Sequence, residues 1–523
     1  MHLFPFTQRG DPGFPRFLRI ALFLSAALTA GDLHRAAAQS IDWNRVHTLT
    51  LQGIHQLYNM HVDQSLVTFR EVSSLAPADP RGHFFEAMVA FWKFNLLGKE
   101  EEYDHFLALS DTVIDVCEAV LDRDKDNAMA HFFLGGIYGY RGMAKQARGS
   151  TVKAVFDGRK GYMNLEDAVE IDPKLYDAQM GLGIFEYMIA KAPRSLSWIL
   201  RTIGFEGSID GGLASLKQAA ERGTYATTEA RFFLSQFMFN ESRDSEAFQY
   251  MRELTTAYPD NILFLLNEST MYRRRGNFDS AFALASRAMA INERRADHIG
   301  EEFLYSTFAS LQFALNDFAG ARKNYALYLD KLANKALVSN WVLYRYGLCQ
   351  EIEGDRTGAV KTYSNVRTDR EVPTWEERST RMCRIRLATP LTRGDIYVIM
   401  AGNLLDRKQY NPADSLLELT LKLSGLEDDT RGEALYDHAQ ILYAENNDSA
   451  TVSACTLIRG LNIRHETWIP PNARFLAGTA YARMGEKEKA RDAYRQAKEF
   501  DGYDYASSLK ERIQTEEKRL ELP

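Results

Sequence analysis

The stretch Phe475-Leu-Ala-Gly478-Thr-Ala-Tyr481-Ala-Arg-Met-Gly485-Glu-Lys-Glu-Lys-Ala490-Arg-Asp-Ala-Tyr494-Arg-Gln-Ala497 decides the fold. It reads as two short helices with a turn at Gly485, a residue that tolerates backbone conformations other side chains resist. Gly478 and Ala490 are small where two helices must approach closely. Tyr481, Tyr494 and Ala497 recur at helical spacing and fill the space between the helices.

The same spacing recurs upstream. Gly347, Gly354, Ala359 and Tyr363 repeat that of Gly478, Gly485, Ala490 and Tyr494. Tyr272, Gly276, Ala281 and Ala288 do so again, with Ser269 in place of the first glycine. Leu234, Ser235, Ala247, Leu254 and Pro259 form the unit before, and Ala247 to Ala281 is one period of 34 residues. Leu165, Ala168 and Pro173 close a further unit, and Leu182 with Gly183 opens the next. Pro173 and Pro259 stop second helices, because proline lacks the N–H and crowds the preceding turn. Weaker units begin near Gly53 (with Phe69, Val72 and Pro77), Ala87, Ala309 (with Ala321 and Tyr325) and Ala401 (with Ala413). The pattern resembles the tetratricopeptide repeat, a helix pair of 34 residues. That resemblance implies an all-α solenoid of stacked helix pairs, here with two irregular insertions.

A narrower resemblance covers residues 127–260. The runs Leu134-Gly-Gly-Ile-Tyr138, Gly142, Lys153-Ala-Val-Phe-Asp-Gly158-Arg-Lys-Gly161, Leu165-Glu-Asp-Ala168, Asp172-Pro173 and Tyr176-Asp-Ala-Gln-Met-Gly-Leu-Gly183-Ile-Phe-Glu-Tyr187 carry it. They are similar to bacterial relatives of the tetratricopeptide-repeat-39 and inclusion-body-clearance proteins, a resemblance that implies no catalytic residues. The expected organisation is a signal peptide (1–38), N-terminal helical repeats (39–190), an apolar and cationic insertion (191–210) and central repeats (211–366). An Arg-rich insertion (367–395), C-terminal repeats (396–506) and a charged, solvent-facing capping tail (507–523) complete it.

Export is read from the N-terminus. Arg9, Arg16 and Arg19 precede the apolar run Ile20–Ala30, and Ala36-Ala37-Ala38 offers a peptidase site. The run is shorter than the roughly 20 residues that span a bilayer. Cleavage after Ala38 predicts a periplasmic or secreted protein, and no cysteine stands nearby for a lipid anchor. It would change the net charge from −7 to −9 by removing four arginines and two aspartates. A mildly acidic chain argues against nucleic acid as partner, since phosphate contacts need basic residues. Cys117, Cys349, Cys383 and Cys455 are dispersed and form no C-x-x-C pair, so they read as buried small hydrophobes or at most one disulfide.

A search for chemistry finds little. Asp122-Arg-Asp124-Lys-Asp126-Asn127 has Asn127 and Phe133 where a calcium loop needs glycine and glutamate, so it reads as a helix-linking turn capped by Asp126 or Asn127. Gly181-Leu-Gly183 is followed by Glu186, not by a third glycine, and is better explained by close helix packing. No G-x-S-x-G or H-E-x-x-H occurs. No catalytic residue, metal or cofactor is implied. What remains is a surface. In this repeat the second, fifth, ninth and twelfth positions of each first helix line a concave groove. They include Met180, Tyr187, Phe232, Phe239, Arg273, Trp341, Tyr344 and Phe475, a largely aromatic set suited to an apolar peptide or helix of a protein partner. A groove covered by longer helices, the insertions or an adjoining protomer is the competing arrangement. The sequence thus predicts an exported, non-catalytic scaffold. An envelope receptor for a glycan or peptide, and a hydrolase with an unrecognised site, are its rivals.

Overall fold

The computed structural model describes residues 41–97, 100–192, 207–295, 300–332, 338–368 and 374–521. The expected signal peptide lies outside the described residues, as does 193–206, which holds Trp198 and Phe205. Among the described residues there are 24 α-helices and no strand. Twenty-two of them pair into eleven hairpins, from Trp43–Tyr58 with Val62–Leu75 to Ile469–Arg483 with Lys487–Lys498. Thr374–Ala388 and Ala506–Glu521 stand single.

The hairpins are built by the small residues that mark the repeat. A Cβ added at Gly478 would lie 2.5 Å from the ring of Tyr494, sixteen residues on. The same juxtaposition joins Gly347 to Tyr363 and Gly53 to Phe69. Where serine replaces the glycine, its hydroxyl donates across the hairpin. Ser235 donates to the carbonyl of Ala247 at 2.9 Å, and Ser269 to that of Ala281 at 2.7 Å. Nine of the eleven turns between paired helices carry one left-handed residue each: Met60, Gly149, Ser242, Gly276, Asn316, Gly354, Lys408, Asn446 and Gly485. Gly183 meets the carbonyl of Gly212 on the partner helix, so that pair of glycines serves helix packing as expected. Asn127 caps Ala128–Ala147 by accepting from the Ala130 N–H at 3.0 Å, which settles the Asp122–Asn127 run as a turn.

The stack curls tightly. Tyr58 of the first hairpin stacks on Phe264 of the sixth at 6.1 Å between ring centroids. Asn261 donates to the Tyr58 carbonyl at 2.8 Å, and Arg295 to the Met60 carbonyl at 2.8 Å. One apolar core therefore joins residues between Ile54 and Leu182 to residues between Ile262 and Ala314. Each fully buried Phe or Leu in it stabilises the fold by about 1.5–3 kcal/mol.

The Arg-rich stretch expected as an irregular insertion is, over 374–388, a regular helix packed on Asn340–Ile352. Three of its four arginines pair with carboxylates outside the helix: Arg378 with Glu466, Arg381 with Asp504, and Arg386 with Asp395 at 3.4 Å, while Arg384 is exposed. The C-terminal helix also differs from a simple solvent-facing tail. Leu509, Ile513 and Leu520 are buried against Phe475 and Tyr494, leaving only its other face to solvent. All four cysteines are buried and free, and burial pushes their thiols up to about 12.

Candidate partner-binding groove

A concavity of about 640 Å³ lies in the C-terminal half. Four helices wall it: Asn340–Ile352, Thr374–Ala388, Arg393–Asp406 and Asp428–Ala444. Helical spacing selects what each presents. Asn340–Ile352 gives Trp341, Tyr344 and Arg345, with Arg345 lying 4.6 Å over the Trp341 ring and 4.4 Å over Phe313. Asp428–Ala444 gives Glu433, Asp437 and Gln440. Residues four apart share a helix face, so Glu433 and Asp437 enter the groove side by side.

Its back wall is an ion network. Glu466 accepts from Arg378 Nε at 3.0 Å and Nη2 at 2.6 Å, and from the Trp468 indole at 2.8 Å. Asp429 fixes the turn that carries Glu466, accepting from the His465 and Glu466 N–H groups at 2.7 Å each. Burial alone would raise the Glu466 carboxyl, but Arg378 and Arg381 outweigh it and hold it below its ordinary value. Glu433 behaves oppositely. It retains 26% exposure and reaches Arg378 only at 3.5 Å, and burial together with the Glu466 charge raises it to about 7. Asp437 is raised well above its ordinary value by burial and then by Glu433 and Asp406. One Asp437 oxygen accepts from Gln440 at 2.9 Å, and it makes no ion pair among the described residues. Tyr344 is only 8% exposed, burial raises its phenol to about 12, and its hydroxyl makes no hydrogen bond among the described residues.

The eight positions expected to line one aromatic groove separate here. Trp341 and Tyr344 line the concavity. Arg273 is half-buried nearby, its guanidinium lowered by burial and by Arg345. Phe475 is covered by the C-terminal helix, with Arg512 at 4.5 Å over its ring. Tyr187 is buried, stacked on Phe237 at 3.8 Å, and donates to Glu241 at 2.8 Å. Phe239 lies buried beneath Arg274 and Arg275. Met180 is buried and Phe232 half-buried against Phe264, because the tight curl closes that half. The expected aromatic lining therefore becomes a polar one, with Glu433, Asp437, Asp406 and Arg345 unforeseen, while Arg378 and Arg386 come from the stretch expected as the Arg-rich insertion. The i, i+4 spacing of Glu433 and Asp437 is their only sequence signal, and such pairs are common on solvated helices. Among the described residues no group of His, Cys, Asp and Glu is placed to hold a metal ion, and no helix is long and apolar enough to cross a membrane.

Comparison with known proteins agrees with the repeat architecture. Residues 166–336 match the family model of Iml2/Tetratricopeptide repeat protein 39, and residues 472–500 match a tetratricopeptide repeat model. The first match begins later and runs further than the stretch 127–260 that carries the resemblance in the sequence. Three solved structures are similar. PilF of Pseudomonas aeruginosa is 15% identical, over 45% of this chain and 91% of its own, with a TM-score of 0.34. Yeast Tom70 is 12% identical, over 84% and 96%, with a TM-score of 0.31. Human IFIT1, as a dimer with m7Gppp-AAAA, is 14% identical, over 88% and 95%, with a TM-score of 0.36. These values are too low to bring what those proteins bind to this chain. The chain carries tetratricopeptide repeats, with residues 166–336 resembling Iml2/Tetratricopeptide repeat protein 39 and residues 472–500 a tetratricopeptide repeat.

Proposed function

We propose that this chain is an exported, non-catalytic scaffold that holds a protein partner in the groove walled by Asn340–Ile352 and Asp428–Ala444. The observation that supports this reading is the 640 Å³ concavity, open on the concave side and edged by the half-exposed Trp341 beside the cation Arg345. Aromatic and arginine side chains at a concave centre are the usual anchors of protein interfaces. A photo-crosslinking amino acid at Trp341 tests it in cells of the source organism. A discrete adduct from position 341, absent with the probe at the exposed Val67, is expected; equal labelling from both would overturn it.

A hydrolase remains the second reading, because Glu433, Asp437 and Asp406 are all raised within one pocket. Catalytic acids are tuned in this way. Buried ion networks shift carboxyls as well, and Arg378, Glu466, Arg386 and Asp395 form one here. Chromogenic ester and glycoside panels discriminate: turnover abolished by Glu433→Gln would favour the enzyme.

A further inference from the structure

Two carboxyls of the groove lack a close ion partner. The groove wall holds Asp395, Asp406, Glu433, Asp437 and Glu466 against Arg345, Arg378, Arg386 and Lys408. Arg378 is engaged bidentately by Glu466, and Arg386 pairs with Asp395. Arg345 lies over the Phe313 and Trp341 rings. Glu433 is left with a single 3.5 Å approach to Arg378, and Asp437 with one amide donor. Burial would lower the Arg378 and Arg386 guanidiniums, yet Glu466 and Glu433 hold Arg378, and Tyr344 and Asp395 hold Arg386, above the ordinary value. A second observation points the same way. The Tyr344 hydroxyl, on a side chain more than nine-tenths buried, has no partner among the described residues and lies within the field of these charges.

We propose that the groove receives an arginine or lysine side chain of the partner polypeptide, seated between Glu433 and Asp437 with the Tyr344 hydroxyl as a third acceptor. This rests on the scaffold reading and names the chemistry of its partner. Three acceptors on two rigid helices match the several N–H donors of a guanidinium or ammonium group. Desolvated carboxylates gain more from such a cation than exposed ones, which is why surface acids elsewhere on the chain do not compete. In the empty groove burial and mutual repulsion favour the protonated forms of both carboxyls, and a cation seated between them favours their ionisation, so the groove accepts basic segments and gives acidic ones no counterpart.

A random-sequence peptide library displayed on phage, selected against residues 39–523, tests this. The same selection is run on Glu433→Gln/Asp437→Asn, on Tyr344→Phe, and on the surface control Glu418→Gln/Glu427→Gln. Far-ultraviolet circular dichroism checks that each variant is folded. We expect Arg- or Lys-containing peptides to be enriched. Synthetic copies should bind the groove double variant at least tenfold more weakly, Tyr344→Phe severalfold more weakly, and the surface control unchanged. Enriched peptides without basic residues, lost on Trp341→Ala, would leave the scaffold reading standing and overturn the cation seat. Equal losses in the surface control would also overturn the seat. No enrichment by any form would overturn both.

Discussion

Tyr494 fills the space that a side chain at Gly478 would need, so that the two residues, sixteen apart, hold the last hairpin closed. Gly347 with Tyr363 and Gly53 with Phe69 make the same contact. Adding a methyl there forces a buried ring or a helix to move, and overpacking of this kind costs about 1–3 kcal/mol. Gly478→Ala is therefore expected to lower the denaturation midpoint, although alanine is the better helix former. The double variant Gly478→Ala/Tyr494→Leu should recover part of the loss in urea melts followed by circular dichroism.

The turns give a prediction of opposite sign. Ser242 and Lys408 stand at positive φ where Gly276, Gly354 and Gly485 occupy the equivalent place. A left-handed residue with a Cβ costs about 1–2 kcal/mol, partly offset by the greater freedom of glycine in the unfolded chain. Ser242→Gly and Lys408→Gly should each raise the thermal midpoint, by an amount corresponding to about 0.5–1 kcal/mol.

Arg378 and Glu466 form the buried pair behind the groove. Removing one member of such a pair typically costs about 3–5 kcal/mol, because its partner keeps an uncompensated charge. Arg378→Gln should show part of that loss, because Arg381 at 3.6 Å and the Trp468 indole still face Glu466. Arg378→Met/Glu466→Leu should lose much less, as scanning calorimetry of the transition containing the C-terminal repeats would show.

A pH dependence follows from Glu229. It is buried, accepts from Tyr140 at 2.6 Å and Tyr58 at 3.4 Å, and its other oxygen has no partner among the described residues. Burial raises it from 4.5 to about 7 despite the two hydroxyls. A carboxyl raised on folding stabilises the fold below its unfolded value, and that stability is lost as pH rises through the folded value. Relative to Glu229→Gln, the wild type should lose roughly 3 kcal/mol between pH 4.5 and 8. Parallel melting curves of the two proteins across that range would contradict the assignment.

The repeat was legible because Gly478, Ala490 and Tyr494 answer to local geometry, which spacing along one hairpin records. Turns were legible where glycine marks them, at Gly276, Gly354 and Gly485, and hidden where Ser242, Lys408 or Asn446 takes the same backbone. The groove was less legible. Trp341 and Tyr344 lie where repeat register puts them, but Phe475 is covered by Leu509 and Ile513, an apolar stripe set within a highly charged helix. Contacts such as Arg378 with Glu466, 88 residues apart, or Asn261 with Tyr58, 203 apart, depend on the curl of the whole stack. No local pattern encodes that curl.

The C-terminal helix has a consequence for how this protein keeps its own company. Every hairpin before it offers its following face to the next hairpin, so a stack simply cut at Lys498 would end in an adhesive surface built from Phe475 and Tyr494. A second molecule could continue such an end, and a third the second, giving an open filament. Leu509, Ile513 and Leu520 occupy that face while Lys510, Glu511 and Glu517 turn outward. The helix thereby closes this end of the array to growth.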